Sequence, residues 1–119
     1  MRLLLFIDTD HVSGPARLAI DFCVEARRLG HSMLMLGLAR GATPAPNAFT
    51  RAAEAAGIPT RLLHERRRFD PGVVRQFRAI LAEFRPDVYQ SHGYKGSMLG
   101  KIARRSGVAW QAMFHGFTW

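Results

Sequence analysis

Arg85-Pro86-Asp87-Val88-Tyr89-Gln90-Ser91-His92-Gly93-Tyr94-Lys95 is the stretch whose reading decides the fold. Proline pushes the residue before it out of the α region, so Arg85-Pro86 ends the helical pattern on its N-terminal side. Four or five strand-like residues follow, and His92-Gly93 then falls where a parallel strand hands over to its helix. In open α/β sheets, ligands bind in the crevice outside the carboxyl ends of the strands. A histidine, a glycine and a lysine displayed at such a turn mark it as the first place to look for function.

Working outward, the same alternation recurs on both sides. Upstream, Asp70-Pro71 reads as a helix cap followed by a first-turn proline, and Val73, Phe77, Ile80 and Phe84 then share one face, widened by Val74 and Leu81. Downstream, the spacing predicts a helix over residues 93–105 with Met98, Leu99 and Ile102 inward, then a fifth strand over 108–114. At the N-terminus, residues 3–7 form a continuous apolar run, as in a strand buried on both faces. The loop through Ser13-Gly14 leads into a helix with Leu18, Phe22, Ala26 and Leu29 at helical spacing, widened by Ala19 and Cys23 and closed by Gly30.

Residues 33–38 read as a second strand and residues 41–46 as a loop. Asn47 is placed to cap a short helix carrying Phe49, Ala52, Ala53 and Ala56, with Gly57 at its end. The third strand, 58–63, contains Pro59, which cannot donate to a ladder, and so belongs at a sheet edge. Residues 64–69 form a loop holding Arg66-Arg67-Arg68. Strands alternating with helices require right-handed crossovers, hence an α/β fold with a Rossmann-like parallel sheet of about five strands in the order 3-2-1-4-5 and helices on both faces. The switch point lies between strands one and four, so the Ser13-Gly14 loop and the His92-Gly93 turn flank one crevice.

The chain of 119 residues suffices for one domain with a core. Its formal net charge of +8 favours anionic partners, or else reflects arginines on solvated faces. A single cysteine, Cys23, excludes an internal disulfide framework. Asp8 and Asp10 interrupt the apolar start before a signal sequence could form, and no run reaches transmembrane length. The expectation is a soluble, cytoplasmic protein that touches a membrane from the side if at all.

Several residues carry candidate chemistry. Ser13-Gly14-Pro15 precedes a helix N-terminus, where free N–H groups and the helix dipole receive anions. The G-x-G-x-x-G dinucleotide fingerprint is absent. His92 either works at the crevice or caps the helix, and Lys95 either faces an anion or is solvated. His115-Gly116 repeats the histidine-glycine turn after strand five, and a neutral histidine there can accept a proton or bind a sugar hydroxyl. Asp8, Asp10 and His11 lack a second group at ligand spacing, so no metal site is expected. The arginine run forms a solvated loop or an electrostatic patch for acidic lipid or a phosphorylated substrate. Without interleaved aromatics, it gives no stacking platform for nucleic acid.

The ordered set Ser13-Gly14 with Ala16-Arg17-Leu18-Ala19, Ala26-Arg27-Arg28-Leu29-Gly30-His31, Ala55-Ala56-Gly57-Ile58-Pro59, Arg85-Pro86-Asp87-Val88, Ser91-His92-Gly93-Tyr94-Lys95 and His115-Gly116-Phe117-Thr118 resembles the N-terminal domain of glycosyltransferase family 4, the retaining, two-Rossmann-domain (GT-B) enzymes. The resemblance implies a sugar transfer from a nucleotide-diphosphate donor to an acceptor hydroxyl, with no further cofactor. It implies Ser13 and Gly14 at the donor diphosphate, His115 as the catalytic residue near the reacting sugar, and His92, Gly93, Tyr94, Lys95, Gly116 and Thr118 at the acceptor. It further implies an acceptor that is a glycan or a lipid-linked molecule of the cell envelope, reached at the inner membrane face.

Two departures are visible. Ser13-Gly14 stands where the family often has a double glycine, and Gln90 where it often has a second histidine. The resemblance also implies that residues 1–119 are the acceptor-side half of a longer enzyme, inactive without its C-terminal domain. Two other readings were open. A signalling receiver domain needs an aspartate after strand three and a lysine after strand five, where Leu63-His64 and His115-Gly116 stand instead. A non-catalytic Rossmann-like module would recruit an anionic partner through its arginines.

Overall fold

The computed structural model describes residues 1–9, 11–41 and 47–113. Nine elements alternate: β1 (Arg2–Ile7), α1 (Gly14–Arg28), β2 (Ser32–Arg40), α2 (Ala48–Ala55), β3 (Thr60–Glu65), α3 (Pro71–Phe84), β4 (Val88–His92), α4 (Gly93–Arg105) and β5 (Ala109–Met113). All strand pairings are parallel and the order is β3-β2-β1-β4-β5, as the edge proline required. Pro59 itself lies just outside β3, where its carbonyl accepts from the Met35 N–H at 3.0 Å.

Local chemistry sets the boundaries. The Ser13 hydroxyl accepts from the Ala16 N–H and caps α1. Asn47 and Thr50 form a reciprocal capping box on α2. The Asp70 carboxylate accepts from the Gly72 N–H ahead of Pro71. Helix α3 stops at Phe84, capped by Arg85 in the left-handed region at φ 51° and ψ 62° with its N–H donating to the Leu81 carbonyl, and Pro86 cannot continue it. Asp87 then locks the start of β4 to β1, accepting from the Arg2 N–H at 2.7 Å while its own N–H donates to the Arg2 carbonyl.

The sheet separates two cores. On one side Leu4, Phe6, Leu36, Leu63 and Tyr89 meet α3 and α4, with Phe77 edge-on to Tyr89 at 5.0 Å. On the other, Leu3, Leu5, Ile7, Met33 and Met35 meet α1 and α2. Helix α3 buries Val73, Phe77, Ile80 and Leu81, with Val74 and Phe84 half-buried, as its pattern predicts.

Helix α1 differs from expectation. Its buried face is Ala16, Ala19, Ile20, Cys23 and Ala26, whereas Leu18, Phe22 and Leu29 are 68%, 48% and 67% exposed. Small side chains let the helix seat directly on the sheet, so the larger residues are rotated outward. Burial pushes the Cys23 thiol up to about 12, leaving it a packing residue and not a nucleophile.

In α2, Phe49, Thr50 and Ala53 are buried and Ala52 is half-buried, while the expected Ala56 is exposed. In α4 the inward positions are Gly96, Leu99, Gly100 and Ala103, with Ile102 half-buried and the expected Met98 exposed. Two glycines govern that contact. A Cβ on Gly96 would come within 2.8 Å of Phe6, and one on Gly100 within 2.1 Å of the Trp110 indole. The Tyr89 hydroxyl donates to the Gly96 carbonyl at 2.8 Å, and Trp110 Nε1 donates to Ser91 Oγ at 3.0 Å.

Candidate functional site at the carboxyl edge of the sheet

The register aligns Ile7 of β1 with His92 of β4, which brings the two turns of the switch point side by side. Above α1, the Ser13 hydroxyl is engaged in capping, and a Cβ at Gly14 would meet nothing within 4 Å. A helix start of this kind presents N–H groups and the positive end of the helix dipole to an anion.

His92 is the last residue of β4 and not part of the turn, and it is buried. It occupies the N-cap position of α4 without a side-chain capping bond. Its Nε2 lies 2.9 Å from Gln90 Oε1, and the Gln90 amide donates to Gln111 Oε1 at 2.8 Å. Gln90 thus ties the imidazole to β4 and, through Gln111, to β5. Gly93 has φ +86°, a conformation that favours glycine, and Tyr94 is 76% exposed.

Lys95 neither faces open solvent nor waits for an anion alone. Its Nζ donates to Glu65 Oε2 at 2.7 Å. The Glu65 side chain is 7% exposed and also lies 3.5 Å from Arg40 Nε. Arg40 in turn grips Asp8 with both ends of its fork, at 3.1 and 2.6 Å. Asp8, Arg40, Glu65 and Lys95 thus join the ends of β1, β2 and β3 to the first turn of α4.

Glu65 and Arg40 were missed in the sequence because residues 64 and 65 read as loop, whereas β3 runs through Glu65 and β2 through Arg40. The available signal was period two. Leu63 and Glu65 fall on the same, inward side of the strand, and an inward carboxylate needs a cation.

Beyond β3, the arginine turn borders a cavity of about 430 Å³ lined by Arg40, Gly41, Glu65, Arg66, Arg67, Arg68 and Lys95. The N–H groups of Arg66 and Gly72 hold the Asp70 carboxyl below the usual carboxylate range. Gln76 bonds both the N–H and the carbonyl of His64, tying the end of β3 to α3.

The expected His115, Gly116 and Thr118, together with Asp10 of the first loop, lie outside the described residues. Among the described residues, no group of three or more histidine, cysteine, aspartate or glutamate side chains is placed to hold a metal ion. Among the described residues, no helix is long and apolar enough to cross a membrane.

The sequence pattern of the Glycosyl transferase 4-like domain matches residues 13–119. The chain belongs to this family. Its fold is shared with solved glycosyltransferase structures of low sequence identity. A glycosyltransferase from Rickettsia africae superposes with a TM-score of 0.74 at 15% identity, covering 98% of this chain and 30% of that one. Anabaena Alr3699/HepE, solved in complex with UDP, gives 0.71 at 16% identity over 94% of this chain and 29% of its own. Acinetobacter baumannii MurG gives 0.71 at 14% identity over 98% and 36%. This glycosyltransferase-like domain therefore spans about a third of the length of those proteins. No curated protein matches it in sequence.

Proposed function

We propose that the chain is the acceptor-side, N-terminal domain of a retaining glycosyltransferase of family 4. It moves a hexosyl group from a nucleotide-diphosphate sugar to an acceptor hydroxyl. The observation that carries this reading is the family match over residues 13–119, which includes Gly14, His92 and Lys95 at one sheet edge. The UDP bound to the Anabaena protein supports a nucleotide-diphosphate donor.

In this reading the start of α1 faces the donor diphosphate, and its N–H groups and dipole stabilise the charge that develops as the sugar leaves. His92, held by Gln90, contributes with Gly93, Tyr94 and Lys95 to the acceptor cleft, together with Gly116 and Thr118. His115 serves as the catalytic histidine beside the reacting sugar. Positioning the acceptor hydroxyl supplies much of the remaining rate. A C-terminal domain provides the other donor contacts, and the work is done on the cytoplasmic side, at the inner membrane face, on a glycan or lipid-linked acceptor of the envelope.

Sugar transfer from UDP-, GDP- and ADP-sugars tests this with the product of the whole reading frame and with residues 1–119 alone. The expected result is transfer with the donor anomer retained by the first, and none by the second. An inverted anomer, or turnover by residues 1–119 alone, overturns the corresponding part. The arginine-lined cavity favours a second reading, a non-catalytic module for an anionic partner. That reading predicts salt-dependent binding indifferent to nucleotide sugar.

A further inference from the structure

The ion pairs around Glu65 leave a charge excess unaccounted for. Arg40, Arg66, Arg67, Arg68 and Lys95 line the cavity at the end of β3 against a single lining carboxylate, Glu65. Glu65 and Asp8 pair with Lys95 and Arg40. Arg66, Arg67 and Arg68 have no carboxylate within ion-pair distance among the described residues. Asp70, whose charge Arg66 and Arg67 feel through space, already accepts from the Arg66 and Gly72 N–H groups.

Three successive like charges repel one another, yet the turn that carries them is held in shape. Asp70 braces it through the backbone, Phe69 adopts φ 59°, and the Arg68 guanidinium lies 5.1 Å from the Phe69 ring centroid. The end of β3 is pinned by Gln76 on one side, and His64 Nε2 lies 2.6 Å from the Gly41 carbonyl on the other. Such a cluster of forked cations matches an anion that presents several oxygens at once. A phosphate does so, whereas a carboxylate is satisfied by one arginine.

We propose that this basin is a phosphate subsite, formed by Arg66, Arg67 and Arg68 together with Lys95. Its natural occupant is a phosphate group carried by the sugar acceptor, a step that rests on the transferase reading. Glu65 is a positioning residue that pairs with both Lys95 and Arg40. Two sources share this chemistry, a soluble phosphate ester and a phospholipid headgroup. The neighbouring Phe69, 70% exposed, is placed to accompany the arginines at a lipid surface.

Binding of inorganic phosphate is measured by calorimetry against potassium chloride of equal ionic strength. The R66Q/R67Q/R68Q variant tests the site, and R104Q/R105Q, which removes two charges at the far end of α4, serves as a control for charge lost elsewhere. All five side chains are exposed, so both variants should fold, and circular dichroism checks this. Phosphate is expected to bind the wild type, to lose at least tenfold in the first variant and to change less than twofold in the second. Equal loss in both variants, or phosphate acting no differently from chloride, overturns the subsite.

Glycerol 3-phosphate and vesicles of phosphatidylcholine with and without phosphatidylglycerol separate the sources. Arginine-dependent binding to either supports the proposal and names the source, and binding to neither overturns it. None of these measurements uses a sugar donor. Phosphate binding without any sugar transfer removes the transferase reading and leaves the subsite. Sugar transfer without phosphate binding removes the subsite alone.

Discussion

Helix α3 buries Val73, Phe77, Ile80 and Leu81 against one face of the sheet, whereas α1 buries Ala16, Ala19, Ile20, Cys23 and Ala26 against the other. The first contact is made by large side chains reaching into the sheet, and the second by backbone drawn close over small ones. The difference matters for how hydrophobicity is read. In α3 the largest apolar residues mark the core. In α1 they mark its margin, because Leu18, Phe22 and Leu29 cannot fit beneath a helix seated on alanines. Apolar area removed from water drives both contacts, but close packing decides which residues supply it.

Substitutions can break or sharpen this contrast. Phe77→Ala should have the largest effect, because it removes a fully buried ring and its edge-on contact with Tyr89. A loss of about 4 kcal/mol is expected, read from urea denaturation. A loss below about 1 kcal/mol would mean that α3 can collapse onto the gap. Ala19→Leu should come next, costing about 2 kcal/mol by overfilling the narrow space under α1. If thermal melting shows no loss, the helix is not seated as closely as its alanines imply. Phe22→Ser should be smallest, within about 0.5 kcal/mol, since the ring is half exposed. A larger loss would make Phe22 part of the core after all.

The same physics explains what could be read in advance. Pro59 pointed to the edge place of β3, although the strand starts only at Thr60, and the apolar runs of β1 and β2 pointed to the centre, so the order β3-β2-β1-β4-β5 was legible. Asn47, Asp70 and Arg85-Pro86 announced the helix boundaries because caps and prolines act through their immediate neighbours. Residues whose role depends on partners far along the chain were harder to recognise. Glu65 looks like loop until Lys95, thirty residues later, is brought beside it. The switch point and the place of His92 next to β1 could be deduced from topology, but its tether to Gln90 could not. The burial of Met98 was misjudged because Gly96 and Gly100 bring α4 onto the sheet through a different face.

Gly100 has a practical consequence. By leaving room for the indole of Trp110, it places one of the chain's two tryptophans between α4 and the outermost strand, hydrogen-bonded to Ser91. Strand β5 pairs with β4 alone and is largely exposed. If it peels away, Trp110 leaves a half-buried, hydrogen-bonded place for water, and its emission shifts to the red. The protein therefore carries a native optical probe of the β4–β5 contact. In a Trp119→Phe variant, the fluorescence of Trp110 can follow the attachment and release of β5 and of the core face it packs against.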